Sequence, residues 1–129
     1  MDRSLLREEA RLYFVPIMLG DNRESHRISR KIFRKYGISS FILDSKRTFA
    51  DLFDFSCRFV KLSSENAFPL LFTQLVDITS EMPSTLMILI PCSSEYESFT
   101  ELYRDELEAF FVISDKELIF TASPLKIIP

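Results

Sequence analysis

His26 is the sole histidine among 129 residues, and Cys57 and Cys92 are the only thiols. An imidazole or a thiolate can ligate a divalent metal or serve in acid–base and nucleophilic chemistry, but neither does so alone. A metal needs three or four donors, and a nucleophile needs a base within reach. No cysteine and no pair of carboxylates stands at ligand spacing beside His26, so no metal site is expected. Cys92 follows an apolar run and precedes a helix start, where the dipole lowers a thiol's pKa. No second histidine is there to act as its base, so a structural thiol is the expectation and no catalytic residue is assigned. The two cysteines form no CxxC and read as reduced thiols, which places the chain in the cytoplasm.

The turn Gly20-Asp21-Asn22-Arg23 is the other chemically suggestive stretch. It carries one glycine rather than the three of GxGxxG, and no GxxxxGK[ST] occurs, so independent nucleotide binding is not expected. A helix opening at Asn22 could hold an anionic group on its free amides. The plainer reading is that Gly20 makes the turn.

Charge narrows the partners. The chain is 47% hydrophobic and 27% charged, with a net charge of -3, which suits one packed domain and offers no global attraction to nucleic acid or anionic lipid. Locally, Arg23, Arg27, Arg30, Lys31, Arg34 and Lys35 face a single acid, Glu24, on one helix. Arg23, Arg27, Arg30 and Arg34 recur at helical spacing as one stripe with no aromatic residue at the stripe's own positions to stack on bases, so nucleic acid is not expected. The stretch Glu95 to Glu108 carries six acids against Arg104. These two charged faces are read as solvated or as docking surfaces. The apolar run Leu86 to Ile90 falls far short of the roughly 20 residues that cross a bilayer, so no membrane association is expected.

Positioning these residues requires elements, and the apolar pattern supplies them. Val15 to Leu19 reads as a strand whose paired part begins at Ile17, since Pro16 cannot donate to a ladder. A helix from Arg23 to Tyr36 follows, capped by Asp21 or Asn22 and ended by Gly37 in the left-handed conformation. Ile38 to Leu43 is a second strand, and Arg58 to Leu62 alternates like a half-covered or edge strand. Ser63 to Asn66 offers caps for a helix carrying Phe68, Leu71, Phe72, Leu75, Val76 and Ile78, which must stop before Pro83. Thr85 to Ile90 reads as a strand covered on both faces and as the sheet centre. Ser94 to Glu97 matches a capping box that opens the acidic helix, Phe111 to Ile113 is a last short strand, and a short helix is expected from Ser114 onward.

Strands alternating with helices imply right-handed crossovers and a parallel sheet with helices on both faces. The fold class is therefore α/β, a three-layer Rossmann-like domain with a mostly parallel sheet of four or five strands. Residues 1–11 read as an N-terminal extension, 12–120 as the domain and 121–129 as a connector or tail. Ligands of such sheets bind beyond the carboxyl ends of the strands, where strand order reverses.

Phe14-Val15-Pro16-Ile17-Met18-Leu19-Gly20, followed by Arg30 and by Tyr36-Gly37-Ile38-Ser39-Ser40, resembles the opening of the pre-ATP-grasp domain of ATP-grasp carboxylate-amine ligases, the carbamoyl phosphate synthase and D-alanine ligase group. The pattern there is roughly F-[IV]-P-[VI]-[LM]-L-G, then a helix ending A-R-x-F-H-x-x-Y-G-I-x-S. Leu86 to Cys92 with Tyr96 resembles the family's L-[IL]-L-I-[GP]-C-G-D-x-Y, and Asp105 to Val112 its D-x-L-E-x-Y-F-V-[VI]. Ser93 and Ser94 depart from the residues that follow the cysteine in that pattern, and the turn aspartate and asparagine are displaced to Asp21 and Asn22.

The resemblance implies a scaffold that walls the acceptor-substrate side of a ligase, with Gly20, Asp21, Asn22, Arg23, Cys92, Ser93, Ser94 and Tyr96 as the substrate-binding set. It implies no cofactor in this chain. ATP and Mg²⁺ would belong to a separate ATP-grasp module, joined in cis or in trans, and the substrate would be a small carboxylate or amine. The chain is too short to include that module, so alone it is expected to be inactive; a homodimer is allowed. The alternative is a stand-alone, non-catalytic docking domain that uses the basic first helix or the acidic Glu95–Glu108 helix.

Overall fold

The computed structural model describes residues 14–48, 50, 54–63, 67–81 and 86–115. The expected N-terminal extension, the tail and the helix after Ser114 lie outside the described residues, as do the helix caps sought at residues 64–66. Among the described residues nine elements follow in order: β1 (Val15–Leu19), α1 (Arg23–Tyr36), β2 (Ser40–Asp44), β3 (Cys57–Lys61), α2 (Phe68–Ser80), β4 (Met87–Pro91), α3 (Ser94–Leu102), α4 (Arg104–Leu107) and β5 (Val112–Ile113). The five strands form one sheet in the order β3-β2-β1-β4-β5, every pairing parallel. The chain is thus an α/β protein with a Rossmann-like, three-layer architecture.

Strand alternation sorts the core into two halves. Met18, Ile42, Ile88 and Ile90 face one way and meet Ile28, Ile32 and Tyr36 of α1. Ile17, Leu19, Leu43 and Leu89 face the other way and meet Leu75 of α2, Phe99 of α3 and Leu107 of α4. Ile88, Leu89 and Ile90 are all fully buried, as continuous apolar strands are when helices cover both faces. Phe14 closes one half edge-to-face against Tyr36, with ring centroids 5.3 Å apart.

The middle strand is β1, not β4, although β1 contains Pro16. In a parallel strand, alternate amides point to opposite neighbours. The Val15 amide donates to Leu86 on the β4 side, whereas the Gly20 amide donates to Leu43 on the β2 side. Position 16 therefore faces β2, and that ladder starts only at the Ile17–Phe41 pair, so the missing N–H of Pro16 leaves no gap. β3 takes the edge that its alternating pattern indicated.

Helix α1 has the expected bounds. Asn22 is its N-cap, in a capping box in which the Asn22 side chain accepts from the Ser25 amide and the Ser25 hydroxyl accepts from the Asn22 amide. Gly37 ends it at φ 72°, the left-handed conformation that suits glycine. Two other helix starts correct the expectation. The N-cap of α2 is Ala67, which makes no side-chain cap bond, and α3 is capped by Ser93 rather than by a box opening at Ser94. The acidic stretch is not one helix: it breaks at Tyr103, whose backbone leaves helical values, into α3 and the four-residue α4. Among the described residues no helix is long and apolar enough to cross a membrane.

Candidate functional site

The sheet reverses order between β1 and β4, because β2 and β3 lie to one side of β1 and β4 and β5 to the other. The carboxyl ends of β1 and β4 run into Gly20 and Cys92, and these positions meet as the fold class requires: a Cβ built on Gly20 would lie 3.7 Å from Cys92 Cβ and 3.4 Å from Tyr96 Cδ2. Gly20 adopts φ +113°, outside the range of ordinary side chains, so here the glycine serves both the turn and the close approach.

The crevice at this reversal is already spanned by the protein's own side chains. Asn22 Nδ2 donates to the Cys92 carbonyl at 2.9 Å, tying the start of α1 to the end of β4. Tyr96 crosses above Gly20, and its hydroxyl donates to Asp44 Oδ1 at 2.9 Å. Burial, then the bond to Asp44, push the phenol well above its ordinary pKa, so it stays a neutral donor and is no base. Asp44 also accepts from the Asp21 and Ser45 amides, which joins the ends of β1, β2 and β4 through one carboxylate. A cavity of about 20 Å³ beside Ser45 and Tyr96 has room for about one water. A broader, shallow hollow lies farther along the rim, lined by Ser45, Lys46, Arg47, Phe59 and Lys61.

Of the eight residues expected to bind substrate, seven gather around this reversal in different roles. Gly20, Asn22 and Tyr96 form the bridge just described. Ser93 caps α3, Ser94 opens it in solvent, and Arg23 is exposed on the first turn of α1. Cys92 contributes its carbonyl to the rim, while its buried thiol turns inward to Met18 Sδ, 3.9 Å away, as a structural thiol does. The eighth, Asp21, points away from the crevice and into the protein.

Asp21 leads to an arrangement that chain spacing did not announce. Its carboxylate accepts from the Thr48 amide at 2.9 Å, the Thr48 hydroxyl at 2.8 Å and His26 Nε2 at 2.8 Å. The other ring nitrogen, Nδ1, lies 2.6 Å from Asp54 Oδ2 and 3.7 Å from Cys57 Sγ. The imidazole is buried, as are both carboxylates, at 0% side-chain exposure for Asp21 and 7% for Asp54. A ring with a carboxylate on each nitrogen donates to both only as imidazolium, and in that form the three side chains make a buried ion triad. Burial by itself would raise the Asp54 pKa, but hydrogen bonds from Ser56 and His26 together with the His26 charge outweigh it and hold the carboxyl below its ordinary value. Arg30 adds a more distant cation, 3.7 Å from Asp54 Oδ2.

Asp54 and Cys57 stand 28 and 31 residues from His26. Local spacing therefore carried no sign of the cluster. The only sequence clues were a histidine four residues after the cap and an aspartate three residues ahead of the cysteine that opens the edge strand.

In comparison with known proteins, no family model, no curated protein and no solved structure matches the chain.

Proposed function

We propose that this chain is the non-catalytic, acceptor-side unit of an ATP-dependent carboxylate-amine ligase, working beside a separate ATP-grasp module that binds ATP and Mg²⁺. The observation that carries the reading is the reversal of strand order between β1 and β4, which gathers Gly20, Asn22, Cys92, Ser93 and Tyr96 at one rim. Of these, Gly20, Cys92 and Tyr96 are positions on which the motif resemblance rests, whereas Asn22 and Ser93 depart from its pattern. The hollow lined by Lys46, Arg47 and Lys61 at the neighbouring strand ends supports it further, since exposed cations on a parallel-sheet rim suit a small carboxylate. Two of the described rim residues suit a non-catalytic part: Tyr96 is a neutral donor and the Cys92 thiol faces the core.

The test is reconstitution. An ATP-grasp module encoded in the same or an adjacent reading frame is mixed with carboxylate, amine and ATP, with and without this chain. Release of phosphate that depends on the chain, and that falls when Lys46 and Arg47 are changed to alanine, supports the reading. A module that ligates equally well without the chain, or the lack of any such reading frame, overturns it.

A second reading, docking through α1, is favoured by one observation: Arg23, Arg30, Lys31, Arg34 and Lys35 are all exposed along that helix. The acidic alternative is weakened by the break at Tyr103 and by the Arg104 contacts to Glu101 and Glu108, which satisfy part of its charge locally. Complex formation through α1 should fade as salt rises from 50 to 500 mM, for which about 10 Å of screening length at 0.1 M is the relevant scale.

A further inference from the structure

The geometry points to a zinc site built by His26 Nδ1, Asp54 Oδ2 and Cys57 Sγ, with Asp21 as the carboxylate that orients the histidine. It is independent of the ligase reading, because it lies between α1 and the segment leading into β3 rather than at the β1–β4 rim. The three donor atoms lie within 4.8 Å of one another. One nitrogen, one oxygen and one sulfur form a donor set of the kind that Zn²⁺, a borderline-soft ion, accepts.

The distances bear this out. With zinc–nitrogen near 2.05 Å and zinc–sulfur near 2.3 Å, a tetrahedral site sets nitrogen and sulfur about 3.6 Å apart. Nδ1 and Sγ stand 3.7 Å apart. Nδ1 and Asp54 Oδ2, at 2.6 Å, are at hydrogen-bond distance; ligation asks the carboxylate to draw back by about 0.7 Å. The chemical difference between the two states is small. The ion takes the place of the proton between Nδ1 and Oδ2, Cys57 gives up its thiol proton, and both protons pass to water.

The surroundings are arranged as a ligating histidine needs. Nε2 is held by Asp21, whose own oxygens are fixed by the Thr48 amide and hydroxyl. That pairing keeps the second ring proton on Nε2 and leaves Nδ1 to the ion, the carboxylate–histidine–metal relay of many zinc proteins. Asp54 Oδ1 is oriented in the same way by the amide and hydroxyl of Ser56. Among the described residues Arg30 is a cation near Asp54, and with its side chain 47% exposed it can swing into solvent. Three protein donors leave a fourth position for water or for a ligand atom, as in zinc sites that are not closed.

Cobalt(II) is the probe, because its bond to a thiolate gives a charge-transfer absorption that neither ring nor carboxylate provides. Titrating the full chain with Co²⁺ should develop this band to one equivalent, and Zn²⁺ should erase it. Cys57→Ser should abolish the band and Cys92→Ser should keep it. Cys57 is half-buried at the start of an edge strand, so its serine variant should fold, which circular dichroism confirms. Asp21→Asn should weaken Co²⁺ binding roughly 10- to 100-fold without changing the band's position. No band in the native chain, or a band that survives Cys57→Ser, overturns the site. An unchanged affinity in Asp21→Asn overturns the orienting role of Asp21.

Discussion

Replacing Asp21 with alanine tests the idea that a buried triad, and not only the apolar core, holds the start of α1. The carboxylate has 0% side-chain exposure and accepts three hydrogen bonds, one of them from the buried His26 ring. Removing it takes away the carboxylate to which the Thr48 amide and Nε2–H donate. Breaking a buried ion pair by deleting one partner costs about 3–5 kcal/mol. The lower end applies here, because Asp54 stays 2.6 Å from Nδ1 and keeps the imidazolium paired, and because Thr48 is only half-buried and can recruit water. A loss of about 3 kcal/mol is thus expected, a large share of the roughly 5–15 kcal/mol that folds a domain. In urea unfolding followed by circular dichroism, with chelator present, the midpoint should fall at unchanged slope, and Tm should fall by roughly 10 °C. Asp21→Asn should lose less, because one oxygen remains to accept from Nε2. Glu101→Ala, which removes only an exposed partner of Arg104, is the control and should not move the midpoint measurably. If Asp21→Ala costs under about 1 kcal/mol, as a surface pair would, the triad does not stabilise the fold and the reasoning fails.

Acid should expose the same triad. The folded Asp54 carboxyl is held below its ordinary value, so its stabilisation is complete above the ordinary carboxylate range and disappears as pH falls through the lowered value. The native chain should therefore lose stability on acidification more steeply than Asp54→Asn; parallel curves would contradict this. At the two glycines with positive φ, Gly37→Val should cost about 1 kcal/mol or more through strain alone. Gly20→Ala should cost at least as much and should also disturb Tyr96, because its Cβ would arrive 3.4 Å from the ring at φ +113°. An unchanged melting curve for either would remove the turn argument at that site.

Much of this architecture is legible in the residues because the information is short-range. Helix α1 declares itself through Asn22 at one end and Gly37 at the other, and both act on backbone within four residues of themselves. The alternation of Met18 against Ile17 and Leu19, and of Leu89 against Ile88 and Ile90, writes two core faces into each strand. Strand and helix alternation then leaves few topologies, so a parallel sheet with Gly20 and Cys92 at a common rim could be anticipated, but not that β1 rather than β4 stands in the middle.

What remained hidden depends on where loops carry distant side chains. Pro16 argues locally against a middle strand, and only the staggered start of the β2 ladder makes it harmless. Ser94 and Ser93 are both good caps by type, and the path out of β4 selects Ser93. Tyr96 reaches Asp44 across 52 positions, and Cys57 reaches His26 across 31. No periodicity encodes such meetings, since a hydrogen bond or a metal site is a relation between side chains in space. The residues alone determined the layers and their order; the packing of α1 against the approach to β3 decided that the only histidine stands among two carboxylates and a thiol.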